Sequence, residues 1–199
     1  KQQSADKEMA ILHEEVDRVG RIIRRLSGSA ENGGTSIAEL NSLIHNVVQL
    51  FQAGAAAPAR TQITARTPET PNEVECDPEA LKQVLINLVK NAFEAMPENG
   101  EIVVSDNGLV NRDGKLYIEI SVEDNGPGIP PDILASLFSP VQTSKGGHHQ
   151  GLGLSIVHDL IKKDRGLISC RSGARGTCFE ILLPIRQDSS APPPEGVAK

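Results

Sequence analysis

The sequence predicts an α+β fold, a two-layer α/β sandwich in which helices cover one face of a mixed, mostly antiparallel sheet. Apolar residues recur at helical steps of three and four in four segments, residues 8–26, 36–52, 77–96 and 151–164. Short apolar runs bounded by turn residues predict strands at 62–66, 102–105, 116–123, 166–171 and 177–184. Helices and paired strands in this order are typical of helices packed on one side of a sheet.

The composition narrows the class of protein. The chain has 199 residues, a net charge of -6, 38% hydrophobic and only 3% aromatic residues, so we expect an aliphatic core and no nucleic-acid partner. Its three cysteines are scattered, which favours a reducing, cytoplasmic compartment. The first residue is Lys1 rather than Met, so we expect a piece of a longer protein, whose parent can be membrane-anchored.

The first predicted helix, residues 8–26, carries one apolar stripe between charged faces. A single amphipathic helix of this length needs a partner, either an upstream helix or a second chain. A breaker-rich stretch, SGSAENGGT, follows at 27–35, and a second helix is predicted over Ser36–Gln52. Residues 53–60 read as a loop, and residues 67–76 as a connection punctuated by proline.

The strongest helix signal begins at Asp77. Asp77 is a predicted N-cap, Pro78 suits the first helical position, and Glu79 favours the positive end of the helix dipole. The i, i+4 spacing of Asn87 and Asn91 places two amides on one face near the apolar stripe. Such amides can be structural hydrogen-bonding groups, or an amide oxygen can bind Mg²⁺ together with waters and phosphate.

The run Asp124-Asn125-Gly126-Pro127-Gly128-Ile129-Pro130 directly follows an apolar strand. Its two glycines permit positive φ and a close approach of the backbone to a ligand. The Asp124 carboxylate only accepts hydrogen bonds, which fits the exocyclic amine of adenine. A tight Asp-Asn-Gly turn without a ligand is the alternative interpretation.

A helix of one or two turns is predicted over Asp132–Leu137, followed by a glycine-rich loop over Ser139–Gln150. The loop leads directly into the helix at Gly151, whose first N–H groups would point at an anion. Lys145 and its neighbours can reach phosphates, so the loop is a candidate lid; a surface loop is the alternative. His148-His149 has no acidic or Cys partner nearby, so we do not predict a metal site there.

Residues 78–185 together resemble the catalytic domain of sensor histidine kinases, within the gyrase–Hsp90–histidine kinase–MutL ATPase superfamily. Five motifs in the family's order carry the resemblance: LINLVKNAFEAM, EDNGPGIP, LFSPVQTSK, GLGLSIV and GARGTCFEILLP. The wording of NAFEAM and TSK is most similar to the nitrogen-sensor subgroup. The resemblance implies a Bergerat-type ATP-binding fold, with ATP and Mg²⁺ as cofactors.

The resemblance also implies a role for each matching position. Asn91 is the implied Mg²⁺ ligand, and Asn87 lies beside the phosphates where the ATPase relatives have a general base. Lys145 is implied to touch phosphate from the loop, which makes Asn87, Asn91 and Lys145 the implied catalytic residues. The implied nucleotide-binding set is Asn91, Asp124, Gly126, Gly128, Ile129, Thr143, Ser144, Lys145, Gly151, Leu152, Gly153, Leu154 and Thr177.

By the same resemblance, residues 1–35 are part of a dimerisation region, residues 36–186 a catalytic domain, and residues 187–199 a flexible tail. The implied partners are a dimerisation-domain histidine, a second copy of the chain and a response regulator. His13 lacks the Pro that follows the family's phospho-accepting His, and its helix resembles the second hairpin helix, so we expect the acceptor to lie upstream of Lys1. Two other classes stay open: a nucleotide-binding module without turnover, and a dimerisation scaffold.

Overall fold

The computed structural model describes residues 36–53, 61–96, 99–138 and 151–185. The described residues form seven strands and four helices, in the order β1 (Ser36–Glu39), α1 (Leu40–Ala53), β2 (Gln62–Arg66), β3 (Glu73–Cys76), α2 (Pro78–Ala95), β4 (Glu101–Arg112), β5 (Lys115–Asp124), α3 (Pro131–Leu134), α4 (Gly151–Lys163), β6 (Leu167–Gly173) and β7 (Gly176–Pro184).

Five of these strands form one mixed sheet in the order β2-β4-β5-β7-β6. β2 pairs with β4 in parallel, and every other neighbouring pair is antiparallel. The ends of β5 and β7 lie side by side, because Asp124 is paired with Thr177. β1 and β3 form a separate antiparallel ribbon in which Ser36 is paired with Cys76. The predicted mixed, mostly antiparallel sheet is therefore confirmed.

The core lies between one face of the sheet and helices α1, α2 and α4. Alternate residues of β5 are buried there, namely Ile118, Ile120 and Val122. The apolar stripes of the helices cover them, with Ile44, Val47, Leu85, Leu88, Val157 and Ile161 at most 2% exposed. The opposite face carries Glu119, Glu123 and Glu180, so only one side of the sheet belongs to the core.

The start of α2 is as the sequence predicts. The Asp77 carboxylate accepts hydrogen bonds from the N–H groups of Glu79 and Ala80 at 3.1 and 3.2 Å, and Pro78 occupies the first turn. These bonds satisfy two of the N–H groups that a helix N-terminus leaves without partners. The helix continues to Ala95, and its second half carries the candidate amides towards the end of the sheet.

Several element boundaries differ from the sequence prediction. Residues 36–39 are a strand rather than the first turn of α1, and Glu73–Cys76 is a strand rather than a connection, because these two segments pair with each other. β4 continues past Ser105 to Arg112, through a register irregularity between Asp106 and Gly108. α3 spans Pro131–Leu134 instead of 132–137. Ala53, assigned to a loop, is the last residue of α1.

Several predicted segments lie outside the described residues: the helix over 8–26 with His13, the loop over 54–60, the glycine-rich loop at 139–150 and the tail at 187–199. None of the described helices is long and apolar enough to cross a membrane.

All three cysteines are free thiols. Burial raises the pKa of the Cys76 and Cys170 thiols to about 12, and burial together with the neighbouring Glu123 carboxylate raises the pKa of Cys178 to about 11. At neutral pH the three side chains are therefore protonated.

Candidate functional site

A cavity of about 210 Å³ lies at the end of the sheet, beneath the second half of α2. α2, the loop after β5, the start of α4 and the first residues of β7 surround it. Its polar lining comes from Asn91, Glu94, Asp124 and Thr177. Its remaining wall is apolar and comes from Ala92, Ala95, Gly128, Ile129, Pro130, Ile133, Leu137, Leu154 and Phe179. A mostly apolar cavity with a few convergent polar groups is the usual form of a small-molecule site.

Asp124 is the last residue of β5 and is held by backbone groups on one side only. Its Oδ1 accepts hydrogen bonds from the Gly126 N–H at 2.9 Å and the Thr177 N–H at 3.2 Å. No described residue donates a hydrogen bond to Oδ2. Burial raises the pKa of this carboxyl, and the two N–H donors oppose that shift in pKa without cancelling it. Asp124 therefore presents an acceptor oxygen to the cavity. A further hydrogen-bond donor there would stabilise the ionised carboxylate, which burial disfavours.

The loop after Asp124 is attached to strands on both sides. At its start, Asn125 Oδ1 accepts a hydrogen bond from the Glu101 N–H at 2.8 Å. Further along, the Ile129 N–H donates to Ser172 Oγ at 2.7 Å. Gly128 has a φ of 80°, and a Cβ at this position would overlap the Gly173 carbonyl oxygen. Only glycine therefore lets this loop pack against the turn between β6 and β7.

Gly176 brings β7 against Asp124 in a similar way. Its φ is 122°, and an added Cβ would overlap the Asp124 carbonyl oxygen. The next residue, Thr177, is only 6% exposed and has its hydroxyl 3.0 Å from Ser172 Oγ. The carboxylate and this hydroxyl thus belong to one closely packed corner of the cavity.

The two amides of α2 occupy different environments. Asn91 lines the cavity, and a Cβ added to Gly153 would lie 3.9 Å from its Oδ1, so the first turn of α4 passes close to this amide. Asn87, one turn earlier, is not part of the lining. Its Oδ1 accepts a hydrogen bond from Gln83 Nε2 at 3.2 Å, while its buried Nδ2 has no hydrogen-bond partner among the described residues.

The structure brings together most of the described residues that the sequence predicts for the site. Six of them line the one cavity: Asn91, Asp124, Gly128, Ile129, Leu154 and Thr177. Gly126 closes the turn below Asp124, and Gly153 lies beside Asn91. Gly151 and Leu152 belong to the first turn of α4. Three predicted residues, Thr143, Ser144 and Lys145, lie outside the described residues, as do His148 and His149.

Sequence reasoning missed Ser172 and the part of the apolar wall beyond Gly128, Ile129 and Leu154. Phe179 follows Thr177 by two positions on β7, so strand alternation places both on the cavity side, and this signal was present in the sequence. Phe179 also packs edge-on against Phe138, with ring centroids 6.5 Å apart. Ile133 and Leu137 follow the loop after β5, and no pattern separates them from ordinary core residues.

The mixed sheet covered by helices on one face, with a cavity between a helix and the strand ends, agrees with the ATP-binding catalytic domain that the sequence motifs resemble. Residues 76–187 match the family model described as Histidine kinase-, DNA gyrase B-, and HSP90-like ATPase. The chain belongs to this family, and membership implies ATP binding.

Similar proteins narrow the subgroup. The sensory histidine kinase/phosphatase NtrB of Salmonella typhimurium (strain LT2) is 36% identical over 183 residues, which are 89% of this chain and 52% of that protein. The chain thus spans about half the length of the curated relatives it matches. The predicted resemblance to the nitrogen-sensor subgroup is confirmed.

Two solved structures share the fold. The histidine kinase ThkA, in complex with the response regulator protein TrrA, has a TM-score of 0.65 and 30% identity, covering 90% of this chain and 51% of that one. Full-length ShkA in complex with AMPPNP has a TM-score of 0.66 and 25% identity, covering 90% of this chain and 38% of that one.

Proposed function

We propose that this chain is the catalytic module of a sensor histidine kinase. It binds Mg·ATP and donates the γ-phosphate to a histidine of a dimerisation domain, from which a response regulator then receives it. The observation that carries the proposal is that Asp124 and Asn91 line one cavity, so one ligand can contact both. NtrB, named a sensory histidine kinase/phosphatase, and ThkA, named a histidine kinase, support it by similarity.

The base of the nucleotide binds at the Asp124 end. Asp124 Oδ2 accepts from the exocyclic amine of adenine, and the apolar wall with Ile129 and Phe179 packs against the faces of the ring. The raised pKa of the carboxyl supports this role, because an N–H donor stabilises the ionised form that burial disfavours. Thr177 lies beside the same edge of the base, and Gly126 and Gly128 shape the loop around it.

The phosphates bind at the Asn91 end. Asn91 Oδ1 is a hard oxygen donor that fits Mg²⁺, which keeps several waters and shares phosphate oxygens. The family resemblance implies this amide oxygen as the protein's ligand, with waters and phosphate oxygens at the other positions of the ion. The bound cation neutralises phosphate charge during transfer.

The residues of the glycine-rich loop complete the phosphate end. Lys145, Thr143 and Ser144 contact the phosphates from the loop, and Gly151, Leu152, Gly153 and Leu154 let it close over them at the start of α4. An ammonium group on the γ-phosphate offsets charge that develops in the transition state.

Asn87 keeps the site selective for transfer over hydrolysis. An amide cannot act as a general base, and Asn87 Oδ1 is already engaged by Gln83. The buried Nδ2 of Asn87 has no hydrogen-bond partner among the described residues, so this donor is available to an anionic oxygen. Transfer then depends on positioning the γ-phosphate against an incoming imidazole rather than on activating water.

The acceptor histidine belongs to the parent protein rather than to this chain. His13 is not the acceptor, because it lacks the following Pro and its helix resembles the second helix of the hairpin. The intact protein acts as a homodimer in the cytoplasm, where ATP is available, and presents its phosphohistidine to a receiver domain.

Calorimetry with ATP tests the proposal, in the presence and absence of Mg²⁺. We expect wild type to bind ATP and ADP, with Mg²⁺ strengthening ATP binding. Asn91→Ala should remove most of the gain from Mg²⁺ while leaving Mg-free affinity within about twofold, since one ligand of a partly hydrated ion is lost. Asn46→Ala, an exposed amide on α1, is the matched control and should behave as wild type.

Incubation of the chain alone with γ-labelled ATP should give no acid-labile phosphate, because the acceptor is absent. Failure of wild type to bind ATP at millimolar concentration would refute the proposal. Labelled phosphohistidine on the chain alone would overturn the assignment of the acceptor.

A further inference from the structure

The Ser172 hydroxyl contacts residues of two elements that line the cavity. It is the second-last residue of β6, partly buried, and its Oγ contacts three groups. It accepts from the Ile129 N–H at 2.7 Å, lies 3.0 Å from the Thr177 hydroxyl oxygen, and donates towards the Gly176 carbonyl at 3.3 Å. Ile129 belongs to the loop after β5 and Thr177 to β7, so one side chain links both elements.

The two hydroxyls have a limited set of donor and acceptor arrangements. Ser172 has one proton and two lone pairs, and the Ile129 N–H uses one lone pair. If the Ser172 proton goes to the Gly176 carbonyl, the Thr177 proton goes to Ser172, and Thr177 offers the cavity only lone pairs. If the Ser172 proton goes to Thr177, the Thr177 proton is free to point into the cavity.

Ser172 therefore determines what Thr177 can present beside Asp124. The alanine variant would leave the Ile129 N–H without this acceptor and the Thr177 hydroxyl without this neighbour. Partly buried donors without partners favour movement towards water. The loop would then lose its tie to the β6–β7 turn next to Gly128, whose contact with Gly173 places the same loop.

We propose that Ser172 is a positioning residue for binding of the purine base, acting by tying the Ile129 amide and the Thr177 hydroxyl into one corner of the cavity. The inference rests on the proposed function, because it takes the Asp124 corner as the base site. Ser172 itself does not line the cavity. Its effect is on the affinity for the base and not on the phosphates at the Asn91 end.

Calorimetric titration of ATP and ADP tests this role on the full chain. Ser172→Ala and Ser172→Cys should each weaken binding about 5- to 10-fold, the loss expected of one neutral hydrogen bond. The factor should be the same for ATP and ADP, because both carry the same base. Ser172→Thr, which keeps the hydroxyl, should restore affinity to within about twofold of wild type.

Ser169→Ala is the matched control. Ser169 lies three residues earlier on the same strand, on the opposite face, where its hydroxyl donates to Glu180 at 3.2 Å. Its variant should bind both nucleotides as wild type does. Should Ser172→Ala fail to fold, Ser172→Cys, which conserves side-chain size, carries the same test.

The results separate this inference from the proposed function. If wild type binds neither nucleotide, the proposed function fails and the inference fails with it. If wild type binds and both the Ala and Cys variants remain within twofold, only the positioning role is refuted. A loss that differs between ATP and ADP, or that Ser172→Thr does not restore, also refutes it.

Discussion

Replacing Asp124 by Asn keeps one acceptor oxygen of the side chain and exchanges the other oxygen for an NH2 group. The Asn Oδ1 can still accept from the Gly126 and Thr177 N–H groups, which hold Oδ1 of the aspartate. The amide nitrogen then occupies the place of Oδ2, the oxygen that no described residue contacts. An acceptor facing the adenine amine is replaced by a donor, so two donors oppose each other.

The loss of affinity follows from the kind of hydrogen bond removed. A hydrogen bond to a charged group contributes about 1.5–3 kcal/mol, which corresponds to a roughly 10- to 150-fold rise in Kd. Asp113→Asn is the matched control, since Asp113 is exposed in the β4–β5 turn with a φ of 52°, a backbone conformation that Asn tolerates. We expect it to bind Mg·ATP as wild type does.

The stability of the ligand-free protein should not fall in Asp124→Asn, although its affinity for ATP does. Because burial raises the pKa of Asp124, the folded state binds this proton more tightly than the unfolded state. The stability from that proton is present at low pH and is lost as pH rises through the raised pKa. At neutral pH the neutral Asn avoids the cost of the buried charge, so the variant's melting temperature should equal or exceed that of wild type.

Thermal unfolding with and without Mg·ATP tests the expected loss of affinity and the expected ligand-free stability in one experiment. Asp124→Asn should keep its ligand-free melting temperature at neutral pH and lose most of the rise in melting temperature that ATP causes in wild type. The reasoning is refuted if the variant binds as tightly as wild type. It is also refuted if ligand-free stability falls, which would make the carboxylate a structural group.

Three further outcomes are expected. Gly176→Ala should lower the free energy of unfolding by about 2–4 kcal/mol, because its Cβ would overlap the Asp124 carbonyl oxygen. Gly114 has a φ of 77° with open space around it, so Gly114→Ala should lower the free energy of unfolding by only about 1 kcal/mol, and urea unfolding compares the two variants. Asp77→Ala should cost about 1–2 kcal/mol through its two lost cap bonds. Lys163→Ala removes an ion pair of 3.9 Å in which the Lys163 side chain is half exposed, and it should cost at most about 0.5 kcal/mol by the same measurement. ATP affinity should fall on acidification as Asp124 is protonated at its raised pKa, and calorimetry across mildly acidic pH should show no such dependence in Asp124→Asn.

Each of these outcomes has a clear contrary result. Equal costs for the two glycine variants would mean that the backbone around Asp124 moves aside freely. An equal cost for Asp77→Ala and Lys163→Ala would assign the cap's effect to the ion pair. Unchanged ATP affinity down to the pH of an ordinary aspartate would separate Asp124 from the ligand.

The sequence predicted helices and paired strands where the signal is local. Asp77, Pro78 and the leucine stripe identify α2 without knowledge of the rest of the chain. β1 and β3 were missed because these two four-residue strands are far apart in the sequence and stabilise each other only by pairing. Neither segment alone has a residue pattern that distinguishes it from the residues beside it. Ile37 continues the apolar period of α1, so residues 36–39 resemble helix although they pair with Glu73–Cys76.

Asn91, Asp124 and Thr177 of the polar lining could be predicted, but of the apolar wall only Gly128, Ile129 and Leu154. Asp124 ends a strand and Asn91 lies one helical turn after Asn87, positions where a polar residue needs a hydrogen-bonding partner, and the family resemblance adds Thr177. Ile133 and Leu137 line the same cavity, but an apolar residue facing a cavity and one facing the core have the same sequence signal. Ser172 was missed because its role depends on the loop after β5 reaching it from 43 residues away.

The three protonated thiols make the chain a convenient host for site-directed labelling. Alkylating reagents attack thiolates, and the raised pKa values of Cys76, Cys170 and Cys178 leave very little thiolate at neutral pH. A cysteine introduced on an exposed helix position such as Asn46 would react much faster. Fluorescent or spin probes can thus be attached at a chosen point without first removing the native sulfhydryl groups.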